Sequence, residues 1–194
     1  MDKITAHNKI RQNESEQMTS LIGMVILLGS LAMFFITIMA SYGILRVRSS
    51  NWGMIRMGNL AVLLSWFNLI VLMGSSYVFS KISKIAKETT LTASIRWVDS
   101  TIICGVIFLG LQIFIWSILS SNGYLMTSHQ AGSIFYMASG LHGIHLFIGI
   151  FLLLWFKQKI KKQEAQVFEI KLIGLFWHFL TILWLIIFFS VIIF

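Results

Sequence analysis

No proline occurs anywhere in this 194-residue chain, it has a single cysteine, and only 11% of its residues are charged. Soluble proteins carry about 5% proline and about 25% charged residues. The missing proline excludes proline-kinked helices. The lone Cys104, set within an apolar run, excludes an intramolecular disulfide and reads as a small hydrophobe at a helix contact. The shortage of charge is the decisive absence. It is too severe for a globular surface in water, so the chain is an integral membrane protein. No polar block is long enough to fold separately, which leaves one domain. Also absent are a Gly-rich phosphate loop, a cysteine cluster, a recognisable nucleophile–base pair, a sequence repeat and any low-complexity tract.

What is present is apolar and segmented. Five runs of twenty or more residues, at about 18–45, 57–80, 97–119, 133–156 and 172–194, are each long enough for a hydrocarbon core of ~30 Å at ~1.5 Å rise per residue. The expected fold is therefore all-α, a bundle of five transmembrane helices. Residues 1–17 form a polar, exposed tail, read as no cleavable signal because the apolar run behind it is too long. Trp52, in the first loop, reads as an interface anchor, and the basic stretch from Lys81 to Arg96 as a loop that begins as an interfacial helix.

Lys and Arg divide unequally between the two sides. Twelve fall on one side: Lys3, Lys9 and Arg11 in the tail, Lys81, Lys84, Lys87 and Arg96 in the second loop, and Lys157, Lys159, Lys161, Lys162 and Lys171 in the fourth. Three, Arg46, Arg48 and Arg56, fall on the other. This asymmetry puts the N-terminus in the cytoplasm and the C-terminus outside. It also accounts for the net charge of +8 by headgroup contact, without nucleic acid.

The fourth run, Ser133 to Phe156, has no Lys, Arg, Asp or Glu yet carries His142 and His145, with Gly140, Gly143 and Gly149 around them. At ~100° per residue, Ser139, His142, His145 and Gly149 share one helix face, which must turn to other helices because lipid offers imidazole no partner. His178 in the fifth run is the only other histidine in a span; His7 and His129 lie in polar segments. Antiparallel fourth and fifth helices would place His145 and His178 about 16 and 10 Å from the same end, close enough to approach one another. Three readings of these imidazoles follow: hydrogen bonding between helices, bis-histidine ligation of haem b, or proton shuttling. No intramembrane carboxylate is available to complete a metal site. The same absence removes the usual carriers of a pump or transporter. Asp99, near the cytoplasmic end of the third run, is either an interfacial residue beside Arg96 or a proton-collecting group. Asn68, Gln112 and the Ser and Thr residues of the spans read as links between helices.

Two of these stretches have a family look. Gly140-Leu141-His142-Gly143-Ile144-His145 followed by Gly149, and Phe176-Trp177-His178-Phe179 with Trp184 beyond, resemble the paired helix motifs of subunit III of the haem–copper respiratory oxidases. Gly29-Ser30, Met33-Phe34-Phe35 and Leu109-Gly110-Leu111-Gln112 resemble further segments of that family. The resemblance spans nearly the whole chain and is similar to short five-helix bacterial members. Four acidic positions of the family are occupied here by Leu31, Ile115, Thr181 and Lys171. Proton uptake or acid-assisted lipid binding is not carried over onto them, and the retained histidines and glycines point to scaffold.

The resemblance implies a non-catalytic accessory subunit of a cytochrome c or quinol oxidase, in the bacterial cytoplasmic membrane rather than the mitochondrial inner membrane. Such a chain would hold no haem, copper or other metal of its own, these belonging to partner subunits. Its partners would be the catalytic subunit I, subunit II, other small subunits and bound phospholipid. Gly140, His142, Gly143, His145, Gly149, Trp177, His178 and Trp184 would form helix contacts, with His142, His145, Trp177 and His178 between the fourth and fifth helices. Asp99 would help shape the surface where protons enter. A haem-b membrane anchor passing electrons to quinone is the alternative, and a small transporter a third.

Overall fold

In hydrocarbon the backbone must satisfy its own hydrogen bonds, and a proline-free apolar chain does so as long helices. A computed structural model describes residues 2–48, 58–88, 94–123 and 130–193. Met1, Phe194 and the loop residues 49–57, 89–93 and 124–129, with Trp52, Arg56 and His129 among them, lie outside the described residues. The helices are α1 (Asp2–Arg48), α2 (Asn59–Glu88), α3 (Ile95–Ser121), α4 (Gln130–Lys161) and α5 (Val167–Ile187), the last continued by wider π-type turns over Phe188–Ile193. Each contains a stretch apolar and long enough to cross a membrane. The protein is an all-α bundle of five such helices, as the composition required.

The helices extend past the apolar runs. α1 begins within the polar residues near the N-terminus, and α2 carries on through Lys81 to Glu88, beyond its membrane-length stretch Asn59–Ile82. Outside the hydrocarbon nothing forces a helix to stop, so sequence signals end it instead. α4 ends where Gln163 takes a left-handed conformation (φ 59°). Its N–H donates to the Ile160 carbonyl at 3.1 Å, and that of Glu164 reaches back to Lys159 at 3.0 Å. That double closure is the usual left-handed helix stop. α5 then starts at once, with the Gln166 N–H donating to Glu169 Oε2 at 3.1 Å, a carboxylate placed at a helix N-terminus.

Packing makes a closed ring of four: α2 against α3, α3 against α4, α4 against α5, and α5 back against α2. α1 lies outside the ring, touching α4 and α5. Burial follows this order, 56% of the apolar window of α5 being buried against 17% of that of α1. Without a hydrophobic drive between helices in lipid, close approach depends on small residues opposite large ones. Three glycines supply it. A β-carbon on Gly174 would meet Phe79 of α2 at 2.8 Å, one on Gly149 would meet Trp177 at 3.2 Å, and one on Gly105 would meet Trp177 at 3.0 Å and Ile150 at 3.1 Å. Trp177 therefore wedges between α3 and α4, against a glycine on each.

Gly174→Ala should lower the stability of the purified chain, by the ~1–3 kcal/mol typical of overpacking less the ~1 kcal/mol that alanine adds to helix propensity. Gly110→Ala, where nothing lies within 4 Å of the added carbon, isolates the propensity gain. Unfolding of both variants in mixed micelles checks this; equal stabilities would mean that Phe79 yields to the added methyl group without cost.

Candidate functional site

The face of α4 singled out by its histidines turns inward at Ser139 and His142, both fully buried. The His142 ring stacks on the Trp184 indole of α5, with centroids 5.0 Å apart and planes 26° from parallel. Phe108 of α3 meets both rings edge-on, at 5.8 Å and 5.0 Å. Neither ring nitrogen of His142, nor Nε1 of Trp184, has a hydrogen-bond partner among the described residues. About one turn further along α3, Asn68 Nδ2 of α2 donates to Gln112 Oε1 at 3.1 Å. Asn68 Oδ1 and Gln112 Nε2 remain unmatched among the described residues. A buried polar atom without a partner costs ~1–3 kcal/mol, so this layer is expensive.

The neighbouring layers are satisfied. Trp116 Nε1 donates to Ser139 Oγ at 3.2 Å, and Ser139 donates to the Phe135 carbonyl at 2.6 Å. Trp177 Nε1 donates to Ser75 Oγ of α2 at 3.2 Å, and Ser75 donates in turn to the Leu72 carbonyl at 2.8 Å. Each indole bond fastens one ring helix to its neighbour, α3 to α4 and α5 to α2. Gly140 and Gly143 border Trp116 and Leu109 of α3 at ordinary contact distance.

The expected meeting of His145 with His178 is absent: the two turn to different helices. His145 Nδ1 lies 2.6 Å from the Leu141 carbonyl, which only accepts, so Nδ1 carries the proton. Its ring touches Phe35 edge-on and lines a groove with Ser30 and Leu31 of α1. His178 faces α2. Ser80 gives its hydroxyl hydrogen to the Ser76 carbonyl at 3.1 Å, so at 3.5 Å it accepts from His178 Nε2–H. Nδ1 then accepts from Ser76 Oγ at 2.5 Å. Only His142 and Trp177 of that histidine and tryptophan set sit at the α4–α5 seam. The three imidazoles point to three different neighbours, and no two of them are opposed as the clamping of a macrocycle requires.

At one end of the bundle, Lys157 of α4 pairs with Asp99 of α3 at 2.5 Å. That makes Lys157, rather than Arg96, the ion-pair partner of Asp99. Lys159 pairs with Glu169 of α5, its ammonium also lying 4.5 Å from the Trp155 ring centroid. No group of three His, Cys, Asp or Glu able to hold a metal occurs among the described residues. The serines that hold His178 and Trp177 are among the Ser and Thr residues of the spans expected to link helices, although the sequence does not say which side chain each one meets. Their signal was the run Ser75, Ser76 and Ser80 within a few turns of α2, whose targets depend on which helix sits opposite.

The model of the family described as cytochrome c oxidase subunit III matches residues 5–194. The chain belongs to that family. Among curated relatives, the "Cytochrome c oxidase subunit 3" of Thermostichus vulcanus is 27% identical, over 86% of this chain and 83% of its own length. The "Probable cytochrome c oxidase subunit 3" of Mycobacterium leprae is 30% identical, over 86% and 84%. A "Probable quinol oxidase subunit 3" of Staphylococcus epidermidis is 26% identical, over 67% and 65%. The family is an accessory subunit of multi-subunit haem–copper oxidases, which fits the multi-pass architecture. The four residues at the positions where the resemblance implies acids each have their own local surroundings. Leu31 sits in the α1–α4 groove beside His145, Ile115 is in the core, Thr181 donates to the Trp177 carbonyl at 3.1 Å, and Lys171 is exposed.

A double-mutant cycle on Trp177→Phe and Ser75→Ala should return a coupling of ~0.5–1.5 kcal/mol, the range of hydrogen bonds between membrane helices. A coupling of zero would mean that the indole packs without bonding.

Proposed function

We propose that this subunit III family member is a non-catalytic scaffold of a haem–copper oxidase in the bacterial cytoplasmic membrane. It stabilises catalytic subunit I, with subunit II and other small subunits as neighbours in the complex. The observation that carries this reading is how the interior polar groups are used. Trp116, Ser139, Trp177, Ser75 and His178 bond across helix seams instead of converging on a reaction centre. The N-terminus lies in the cytoplasm, which follows from the twelve-to-three distribution of Lys and Arg. In that orientation the Asp99–Lys157 and Lys159–Glu169 pairs face the cytoplasm, and Asp99, 39% exposed, helps shape the surface where protons enter. Phospholipid occupies the flanks of α1. An apolar groove of about 410 Å³, lined by Phe35, Met39, Phe179 and Ile186 among others, runs between α1 and α5 and has the chemistry of an acyl-chain site. A second groove, at the polar end, is bordered by polar side chains that include Glu16, Gln17, Ser20, Gln166 and Glu169.

His178→Ala removes the α2–α5 bonds to Ser76 and Ser80. It should loosen the isolated subunit and weaken its retention in the complex, with no haem lost in step. The check is a gentle-detergent pull-down of the tagged chain with a visible spectrum of the eluate. An oxidase spectrum that vanishes when the chain is stripped to a single band supports the scaffold. Haem b that stays with the single band, and falls with the mutated histidine, overturns it in favour of an electron-carrying anchor.

A further inference from the structure

The helices of the ring each contribute one polar side chain to the unmatched layer: Asn68 from α2, Gln112 from α3, His142 from α4 and Trp184 from α5. All four are buried to within 3% of full burial. Their needs are definite. The Trp184 indole and the Gln112 amide nitrogen only donate, Asn68 Oδ1 only accepts, and a neutral imidazole has one nitrogen of each kind. Exchanging the oxygen and nitrogen of both Asn68 and Gln112 keeps their mutual bond and still leaves one donor and one acceptor over. Rearranging the amides therefore does not remove the deficit.

We infer that this layer is a hydration site, in which ordered water bonds His142 and Trp184 at one level and Asn68 and Gln112 about one helical turn away. The separation follows from α3, where Gln112 lies four residues beyond Phe108, the ring that touches both His142 and Trp184, or about 6 Å of rise. The mixture of donors and acceptors selects the ligand. A cation would meet the indole and amide N–H groups, and an anion would find no fixed positive charge among these four side chains. Water gives two hydrogen bonds and takes two, and buried water characteristically bridges such leftover groups. Of the four, Gln112 also borders an open groove of about 290 Å³ between α3 and α4, together with Trp116, Ser139, Gly140 and Gly143. The subunit would then carry water between helices of a largely apolar bundle, bound in part to His142 of α4 and Trp184 of α5.

The test is water-edited solid-state NMR on the full chain, with His and Trp labelled in ¹⁵N, in lipid bilayers. Trp177 is the internal dry reference, since its indole is fully buried and its N–H is held by Ser75. The inference expects magnetisation to pass from water to the Trp184 indole and the His142 ring well ahead of Trp177. In Trp184→Phe, which keeps an aromatic ring against His142, the indole signal should be lost while the His142 ring keeps its water transfer. A Trp184 indole as dry as Trp177 in the unmodified chain overturns the inference without recourse to any variant. So does a through-space contact showing either ring bonded directly to a protein side chain.

Discussion

Hydrocarbon offers no hydrogen bonds, so each polar group that enters the membrane must find its partner inside the protein. Most features of this fold answer to that constraint. The backbone is satisfied by helices. The indoles of Trp116 and Trp177 are satisfied by serines on neighbouring helices, and His178 by two serines of α2. The isolated serines and threonines return their hydroxyls to carbonyls one turn earlier, as Ser65 and Thr181 do. Where the demand is unmet, at His142 and Trp184, the rings are at least stacked and shielded by Phe108.

Size matching is the second organising rule, and it explains why α5 is central. Gly174 on α5 receives Phe79 from α2, while Trp177 on α5 is received by Gly149 of α4 and Gly105 of α3. A single stretch of α5 thus interlocks with three helices. α1 lacks such exchanges, since a side chain added at Gly23, Gly29 or Gly43 would meet nothing within 4 Å. It rests against the α4–α5 seam with apolar grooves on its flanks. A helix held so lightly is the element whose position depends most on what surrounds it, lipid or another subunit.

Leu31 and Ile115, two of the residues at positions where the resemblance implies acids, have apolar surroundings here. Ile115 completes core packing and Leu31 makes the α1–α4 groove apolar. Two of the chain's acids, Asp99 and Glu169, are each paired with a lysine of α4 at one end of the bundle. Partly exposed pairs of this kind contribute ~0–1 kcal/mol each. Their consistent effect is geometric, tying the start of α3 and the start of α5 to the end of α4.

Charge content and run length were enough to point to the membrane and the five helices, because burying a charge in lipid is prohibitive and a helix must match the bilayer in length. The paired Gly-His and Trp-His stretches were enough to point to the family. Local spacing also put Ser139 and His142 on one inward face, since helical periodicity is a property of the chain alone. Which neighbour each side chain meets was not legible in the same way. His145 turns to α1 and His178 to α2, Asp99 finds Lys157 rather than the nearby Arg96, and the Ser75 and Ser76 hydroxyls acquire their roles from α5. Those outcomes depend on the rotation and order of whole helices around the ring, set by Phe79 against Gly174 and Trp177 against Gly149. Such contacts join residues far apart in the chain, and no local pattern encodes them.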